Sequence, residues 1–316
     1  MIDAAQNALP EAEKQLIDTE TPFQRFRSEF LESKVATAAL ITMVAIIILA
    51  IIAPWIVPQN PYDLAQVDVL DSRMAPGSEA FTGYTMWLGS DGAGRDLYSA
   101  ILYGLRISLS VGITSGVIAL LLGMVIGLAA AYAGGRTENL IMRIVDLQLS
   151  FPAALVALML IAILGKGVDK IILALVVAQW AYYARTVRSS ALVERHKEYV
   201  EAAACLGISH ARIIFRHILP NCLAPLIVVG TVQTAHAISL EATLSFLGVG
   251  LPPTSPSLGV LIANGFEYMM SGRYWISVYP GLALLLTVVS INLVGDRLRD
   301  VLNPRRNTGG QARSAK

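Results

Sequence analysis

Six apolar stretches set the rhythm of this chain, and the polar connections between them differ widely in length. Val35–Val57 carries no charge for 23 residues, enough to cross about 30 Å of hydrocarbon at about 1.5 Å per residue. Pro54, Pro58 and Pro61 with Trp55 mark an interfacial exit. Ile107–Gly135 predicts a second span. Leu147–Leu164 predicts a third, with Pro152 near its start, where a proline costs least. The fourth is short: only Ile171–Ala184 is charge-free, so Val168–Lys170 must contribute and Lys170 must snorkel. A fifth runs from Ile218, whose next carboxylate is Glu241, and Ile276–Gly295 supplies the sixth. The expected fold is all-α and polytopic, with six transmembrane helices: one extra helix at 35–57, then a five-helix core at 105–303. A tail at 1–34, a loop at 58–104 and a tail at 304–316 complete the division.

Composition agrees with that pattern. Hydrophobic residues make up 55% of the chain and charged ones 15%, with a mean hydropathy of +0.59, too apolar for a soluble domain. The net charge of +1 says nothing about partners, but its distribution does. Eighteen Lys and Arg fall on the side holding both termini and the 185–220 connection. Six, namely Arg73, Arg95, Arg106, Lys166, Lys170 and Arg273, fall on the other. The positive-inside rule therefore places both termini and that connection in the cytoplasm. Asp3, Glu11, Glu13, Asp18 and Glu20 make the N-terminus unlike the basic start of a secretory signal. Phe23, Phe26 and Phe30, with Arg25 and Arg27, either lie on the membrane surface or flank the first span. Cys205 and Cys222 read as small apolar filler, neither a disulfide in a reducing compartment nor a metal site.

The longest connection with helical character is 185–220, and long connectors usually have a job. Glu194–Leu206 reads as a helix with Ala202, Ala203 and Leu206 on one face. Gly207 suits the position after a helix end, where a left-handed backbone is needed. Ser209 suits the cap of a second helix with Ile213, Ile214 and Ile218 as its apolar set, and Pro220 marks entry to a new segment. On the second span Gly112, Gly116, Gly123, Gly127 and Gly134 fall within about 60° of one another on a helical wheel. They form a small-residue seam for close helix packing.

Several of these motifs point to one family. Glu201-Ala202-Ala203, three residues, Gly207, then Leu219-Pro220 resembles the EAA loop of permease subunits in bacterial ABC importers. His217-Ile218-Leu219-Pro220-Asn221 is similar to the form found in the peptide-permease branch, His217 standing where the general pattern has Ile. Leu88-Gly89-Ser90-Asp91 with Gly94-Arg95-Asp96 is similar to that branch's Leu-Gly-Thr-Asp and Gly-Arg-Asp signature, with Ser90 for Thr. Gly134-Gly135, Glu138 (for Asp), Leu140–Arg143, Asp146 and Phe151-Pro152 resemble its next block. Pro252–Gly259 departs from the branch's loop at four positions, Leu258 for Trp among them; Gly295–Asp300 with Pro304-Arg305 is close to its C-terminal signature.

The resemblance runs from about Val35 to Arg305 and implies a type I ABC importer permease fold in the bacterial cytoplasmic (inner) membrane. It implies that Glu201, Ala202, Ala203, Gly207, Ile213, Ile214, Leu219 and Pro220 couple the chain to ATPase subunits, Glu201 pairing with a basic residue there. The expected partners are a homologous permease, two ATPases that carry ATP and Mg, a periplasmic substrate-binding protein and membrane lipid; no nucleic acid is expected. Within the family, dipeptides, oligopeptides, nickel, glutathione and sugars are carried, and nothing in the residues separates these cargos.

The residues themselves weigh against other classes. Gly165-Lys166-Gly167 lacks the spacing of a phosphate loop, and the four histidines show no nucleophile–base or metal spacing, so no enzyme, cofactor or metal is expected in this chain. A self-sufficient secondary transporter should carry charges near the bilayer midplane, which spans one, two, three and six lack. For the translocation path the fifth span offers Thr234, Glu241 and Ser245 within about 40° of one another, with His236, Ser239 and Thr243 on a second polar face. Glu241 lies about 35 Å along the helix from Ile218. There it either meets the α-amino group of an incoming peptide or pairs with a neighbouring helix or subunit.

Overall fold

The computed structural model describes residues 21–302 except 64, 82, 253, 254 and 256; the side chains of Pro22, Phe23 and Arg25, and the parts of the two expected tails at 1–20 and 304–316, lie outside the described residues. A short amphipathic helix α1 (Pro22–Leu31) precedes α2 (Lys34–Ile56). Phe30 is buried among Ala36, Ala39 and Val294, and Phe26 stacks on it at 6.2 Å between centroids. Helix α2 starts where Ser33 accepts the Ala36 N–H at 3.3 Å. Its small residues Ala36, Ala39, Ala50 and Ala53 face inward, whereas Ile41, Ile48 and Ile51 point out. That is the arrangement of a helix solvated by lipid, where close backbone packing replaces the hydrophobic drive.

The second predicted span is longer than its charge-free run. Helix α3 (Leu97–Ala133) starts ten residues before Ile107 and inside the expected 58–104 loop, because Asp96 caps it by accepting from the Ser99 N–H at 2.9 Å. Before it, the outer loop holds a two-stranded hairpin, β1 (Ser78–Glu79) with β2 (Thr85–Met86). The loop is knotted by Asp91, which takes Arg95 Nε at 2.7 Å and the Ala93 N–H at 2.9 Å, and by Gln59, which takes the Asp96 N–H at 2.6 Å.

The third predicted span is not one rod. Helix α4 (Gly135–Ser150) and α5 (Ala153–Leu164) meet at 88° across Phe151-Pro152. Proline has no N–H to donate and its ring crowds the carbonyl four residues back, so Pro152 ends one helix and leads into the next. Helix α6 (Val168–Arg195) continues past the expected end at Ala184 and carries Arg185 and Arg188 alongside α4, where they pair with Asp146 and Glu138. The predicted helix Glu194–Leu206 is therefore split: α6 ends at Arg195, Lys197 is extended, and α7 covers Glu198–Cys205.

From His210 the chain runs without interruption to Phe246 as α8, so Pro220 does not open a new segment. The helix instead widens to a π turn over Ile214–Ile218, the adjustment that lets a proline ride inside a helix. Helix α9 (Leu258–Phe266), absent from the sequence-based expectation, and α10 (Trp275–Leu302) follow. Among the described residues, α2, α3, α8 and α10 are each long and apolar enough to cross a membrane, with the bent α4–α5 pair a fifth candidate. The fourth expected span, α6, holds Asp169, Lys170, Arg185 and Arg188 and is largely enclosed, with Ala174, Leu175, Ala181 and Tyr183 buried.

The glycine seam of α3 sets where α6 and α8 lie. A Cβ at Gly112 would stand 2.4 Å from Ile238 of α8, and one at Gly123 would stand 2.5 Å from Tyr183 and 2.6 Å from the Trp180 carbonyl of α6. At Gly127 the Ala184 carbonyl is 2.5 Å away, while at Gly116 the nearest atom, Thr234 Oγ1, is 3.1 Å away. Gly134 is not part of that seam; it ends α3 with φ +64°.

Candidate coupling site

The 196–220 connection projects from the ends of α3, α6 and α8 and is closed by a specific turn. The Ile208 N–H donates to the Ala203 carbonyl at 3.2 Å and the Gly207 N–H to the Ala204 carbonyl at 3.0 Å. Gly207 itself is left-handed at φ +73°. These two bonds are the pairing that seals a helix end on an αL residue, with Ile208 packing in the same apolar cluster as Ala203. Ser209 occupies the cap position of α8 but makes no side-chain cap bond.

Side-chain contacts on two flanks tie this turn to the membrane helices. Arg195 donates to the Ala131 carbonyl at 2.8 Å and the Tyr132 carbonyl at 3.2 Å, satisfying the exposed acceptors at the end of α3 with a cation. Its guanidinium also lies 5.4 Å from the Tyr132 ring centre, and the Tyr132 hydroxyl meets His210 Nδ1 at the start of α8. On the other flank Tyr199 donates to Glu194 at 2.6 Å and Asn221 donates to the Tyr199 hydroxyl at 3.0 Å. Asn221 also donates to the His217 carbonyl at 2.8 Å, which holds the π turn in place. Local desolvation, and then its bond to the Glu194 carboxylate, push the Tyr199 hydroxyl up to about 12. It therefore stays a donor at any cellular pH.

The expected coupling residues divide into two sets. Ile213 is buried and Ile214 half-buried against α3 and α6, beside Val200, Ala203 and Ile218. Ile213 braces the projection from inside, and Ile214 packs there in part. Glu201, Ala202, Gly207 and Pro220 are exposed, and Leu219 is half-buried. The helix face expected from Ala202, Ala203 and Leu206 is turned: Ala203 with Val200 points in, and Leu206 points out at 80% exposure. Phe215, at 67%, stands out beside Arg212 and Arg216. A rigid tip that offers apolar side chains among charges is suited to a groove on another protein. Sequence reasoning missed Tyr132, Arg195, Tyr199 and Asn221. Only Asn221 carried a signal, as the residue after Leu219-Pro220.

The residues expected along the translocation path divide: Glu241 and Ser245 meet, whereas Thr234 and His236 stand apart from them. Thr234 is half-buried and bonds the Gly230 carbonyl at 2.8 Å, and His236 is exposed. Glu241 and Ser245 are fully enclosed, with Ser245 donating to Glu241 at 2.7 Å and Ser108 of α3 donating to it at 2.9 Å. Glu241 thus pairs with a neighbouring helix instead of facing an open path, because α3 and the residues leading into α9 cover it. No group of His, Cys, Asp and Glu able to hold a metal ion occurs among the described residues.

An exposed projection on a bundle of long apolar helices, with a bent helix pair and a glycine-packed core, is the frame of a membrane-spanning subunit. Comparison with known proteins places it. Residues 119–308 match the family model for the binding-protein-dependent transport system inner membrane component, and residues 21–76 match the N-terminal transmembrane domain of oligopeptide transport permease C. The chain is 40% identical to the dipeptide transport system permease protein DppC of Escherichia coli (strain K12), over 90% of this chain and 94% of that one. It is 35% identical to the glutathione transport system permease protein GsiD of Pectobacterium atrosepticum, over 90% of this chain and 92% of that one. In fold it is similar to a chain of the MetNI methionine ABC transporter solved in an inward-facing conformation, with a TM-score of 0.53, 22% identity, and coverage of 64% of this chain and 96% of that one. The chain belongs to the family of binding-protein-dependent transport system inner membrane components, and it is a membrane-spanning permease subunit of an ABC importer.

Proposed function

We propose that this permease carries dipeptides or short oligopeptides, as one half of a pore completed by a homologous permease. In this reading two ATPase subunits dock on the 196–220 projection and hydrolyse ATP with Mg, and a soluble periplasmic protein delivers the cargo. The observation that supports it most is the projection itself. Leu206 stands exposed on a turn locked at Gly207 and tied to three membrane helices, so a push on the tip is passed to α3, α6 and α8. The kinship to the dipeptide permease supports the cargo. The glutathione permease widens the range to a modified tripeptide. Thr234 and His236 are assigned to the path, whereas Glu241 and Ser245 are not. Six crossings follow if α6 and the bent α4–α5 pair each span once. Both termini and the projection then face the cytoplasm, and the 58–96 loop faces the periplasm.

Uptake decides the cargo. Vesicles holding the permease with its co-encoded partners are expected to accumulate labelled dialanine with ATP, and excess unlabelled dipeptide should compete more strongly than glutathione or Ni²⁺. Competition led by glutathione or Ni²⁺ would move the assignment to that cargo. For orientation, a cysteine at Ser78 should react with an impermeant maleimide from outside and one at Glu194 only after permeabilisation. Outside labelling at position 194 would refute the placement of the coupling site.

A further inference from the structure

Helices α6, α8 and α10 leave a cavity of about 710 Å³ between them, a volume within the range of about 300–1,000 Å³ in which small-molecule sites fall. It lies at the end of the bundle that carries the projection. Ala224 in its wall is three residues past Asn221, which holds the π turn, and the rest of the wall includes the last turns of α10. Tyr182 of α6 with Val228 and Val232 of α8 make the lining largely apolar, so its few polar groups stand out.

Gln233 is 8% exposed and lines this cavity, and its amide makes no hydrogen bond with the described residues. A buried amide without a partner is costly, and a ligand that supplies one relieves it. Asp296 and Arg299 are exposed at the rim, three residues apart on α10, and neither is ion-paired among the described residues. Close packing brings them there. A Cβ at Gly295 would stand 2.8 Å from Thr231 Oγ1 and 3.5 Å from Val232 Cγ2, so α10 meets α8 where Gln233 follows.

An acid and a guanidinium on one rim suit a ligand that carries both charges. Side chains three apart on a helix stand about 5–6 Å from one another at Cβ, and two residues of extended chain span at most about 7 Å. A dipeptide therefore sets its ammonium on Asp296 and its carboxylate on Arg299 together, with its side chains against Val228 and Val232. A neutral apolar guest would leave Gln233 without a partner.

We propose that this cavity binds a short peptide with free termini, Asp296 receiving the ammonium, Arg299 the carboxylate and Gln233 the peptide group. This rests on the transport reading above, to which it adds the residues that hold cargo at the projection's end of the bundle.

The test uses the complete transporter in nanodiscs, without the binding protein, in a Cys205→Ser permease carrying Val232→Cys in the cavity wall. Leucyl-leucine is expected to slow maleimide labelling at position 232 in a saturable way. Its N-acetyl form and its C-terminal amide should each need about fivefold more, the scale of an exposed ion pair. Asp296→Asn should abolish the penalty for acetylation only, and Arg299→Gln the penalty for amidation only, a pattern that a change in folding does not produce. Gln233→Leu should weaken all three ligands alike by about fivefold, the loss of one hydrogen bond. Equal protection by free and blocked peptides would mark an unselective apolar crevice and overturn the assignment. Position 232 reactive in the permease alone but not in the complete transporter would also overturn it, because a partner subunit then fills the cavity. Uptake of leucyl-leucine into vesicles separates the two readings. Uptake without protection overturns the site alone, whereas protection without uptake upholds the site and refutes the dipeptide as imported cargo.

Discussion

Gly207 allows the coupling geometry to be tested by degrees. A Cβ added there meets nothing within 4 Å, so a substitution is felt only through the backbone, held at φ +73°. An L-residue in that region costs roughly 1–2 kcal/mol; asparagine tolerates it better than others, and a β-branched residue worst. If the turn escapes the strain, it forfeits the Ile208–Ala203 and Gly207–Ala204 bonds, each worth about 1 kcal/mol. Gly207→Asn should therefore weaken docking by less than about tenfold, Gly207→Ala by about tenfold, and Gly207→Val by more, at about 1.4 kcal/mol per factor of ten. The assay is stimulated ATP hydrolysis in reconstituted membranes, titrated with ATPase subunit to give an apparent affinity. Insertion and the amount of permease should be unchanged in all three. Equal damage from Asn and Val would refute the backbone argument and point to a partner surface pressed on Gly207 itself; no damage from Val would remove the turn from coupling altogether.

Packing on α3 should be graded in the same way. Gly123→Leu, facing Tyr183 and two backbone atoms at under about 3 Å, should lower the melting temperature and the assembled yield, whereas Gly116→Ala should leave both near the parent. Tyr199→Phe removes the bridge from Glu194 to Asn221 and should cost about 1–2 kcal/mol of loop stability, read as faster proteolysis between α6 and α8. Burial raises the Asp96 carboxyl above its ordinary value, although bonds from Ser99 pull the other way. The folded protein then holds that proton more tightly than the unfolded chain, so this contribution is full below the ordinary value of about 3.9 and is lost as pH rises through the raised one. Asp96→Asn, which keeps an oxygen for the cap, should flatten that part of the stability–pH curve in thermal unfolding; an unchanged slope would contradict it.

How much of this could be read from residues depends on how far apart the partners lie. Val35–Val57 and Ile276–Gly295 were legible because length without charge is a local property, and α2 and α10 fall within a few residues of them at that end. Gly207 was legible because the backbone it needs is local too. Leu147–Leu164 misled because an apolar run does not record a turn of 88°; Pro152 was the cue, since it starts a second helix inside the run and not the run itself. Helix α9 is too short and apolar to stand out beside a proline-rich loop. The polar stripe on α8 was visible, but whether Glu241 faces a path depends on Ser108, 133 residues earlier. Likewise the bracing of the projection rests on Arg195 reaching the end of α3, 64 residues away. No pattern along the chain encodes such pairs.

The claim that the 196–220 projection docks on an ATPase is most directly tested at Leu206. In a Cys205→Ser permease, Leu206→Cys is expected to cross-link to the ATPase subunit within the assembled transporter, and the yield should change between nucleotide-free and ATP-bound states. Ile213→Cys, buried and facing inward, should not cross-link. A link from position 213 but none from 206, or none from either in a transporter that still hydrolyses ATP on substrate addition, would contradict the assignment.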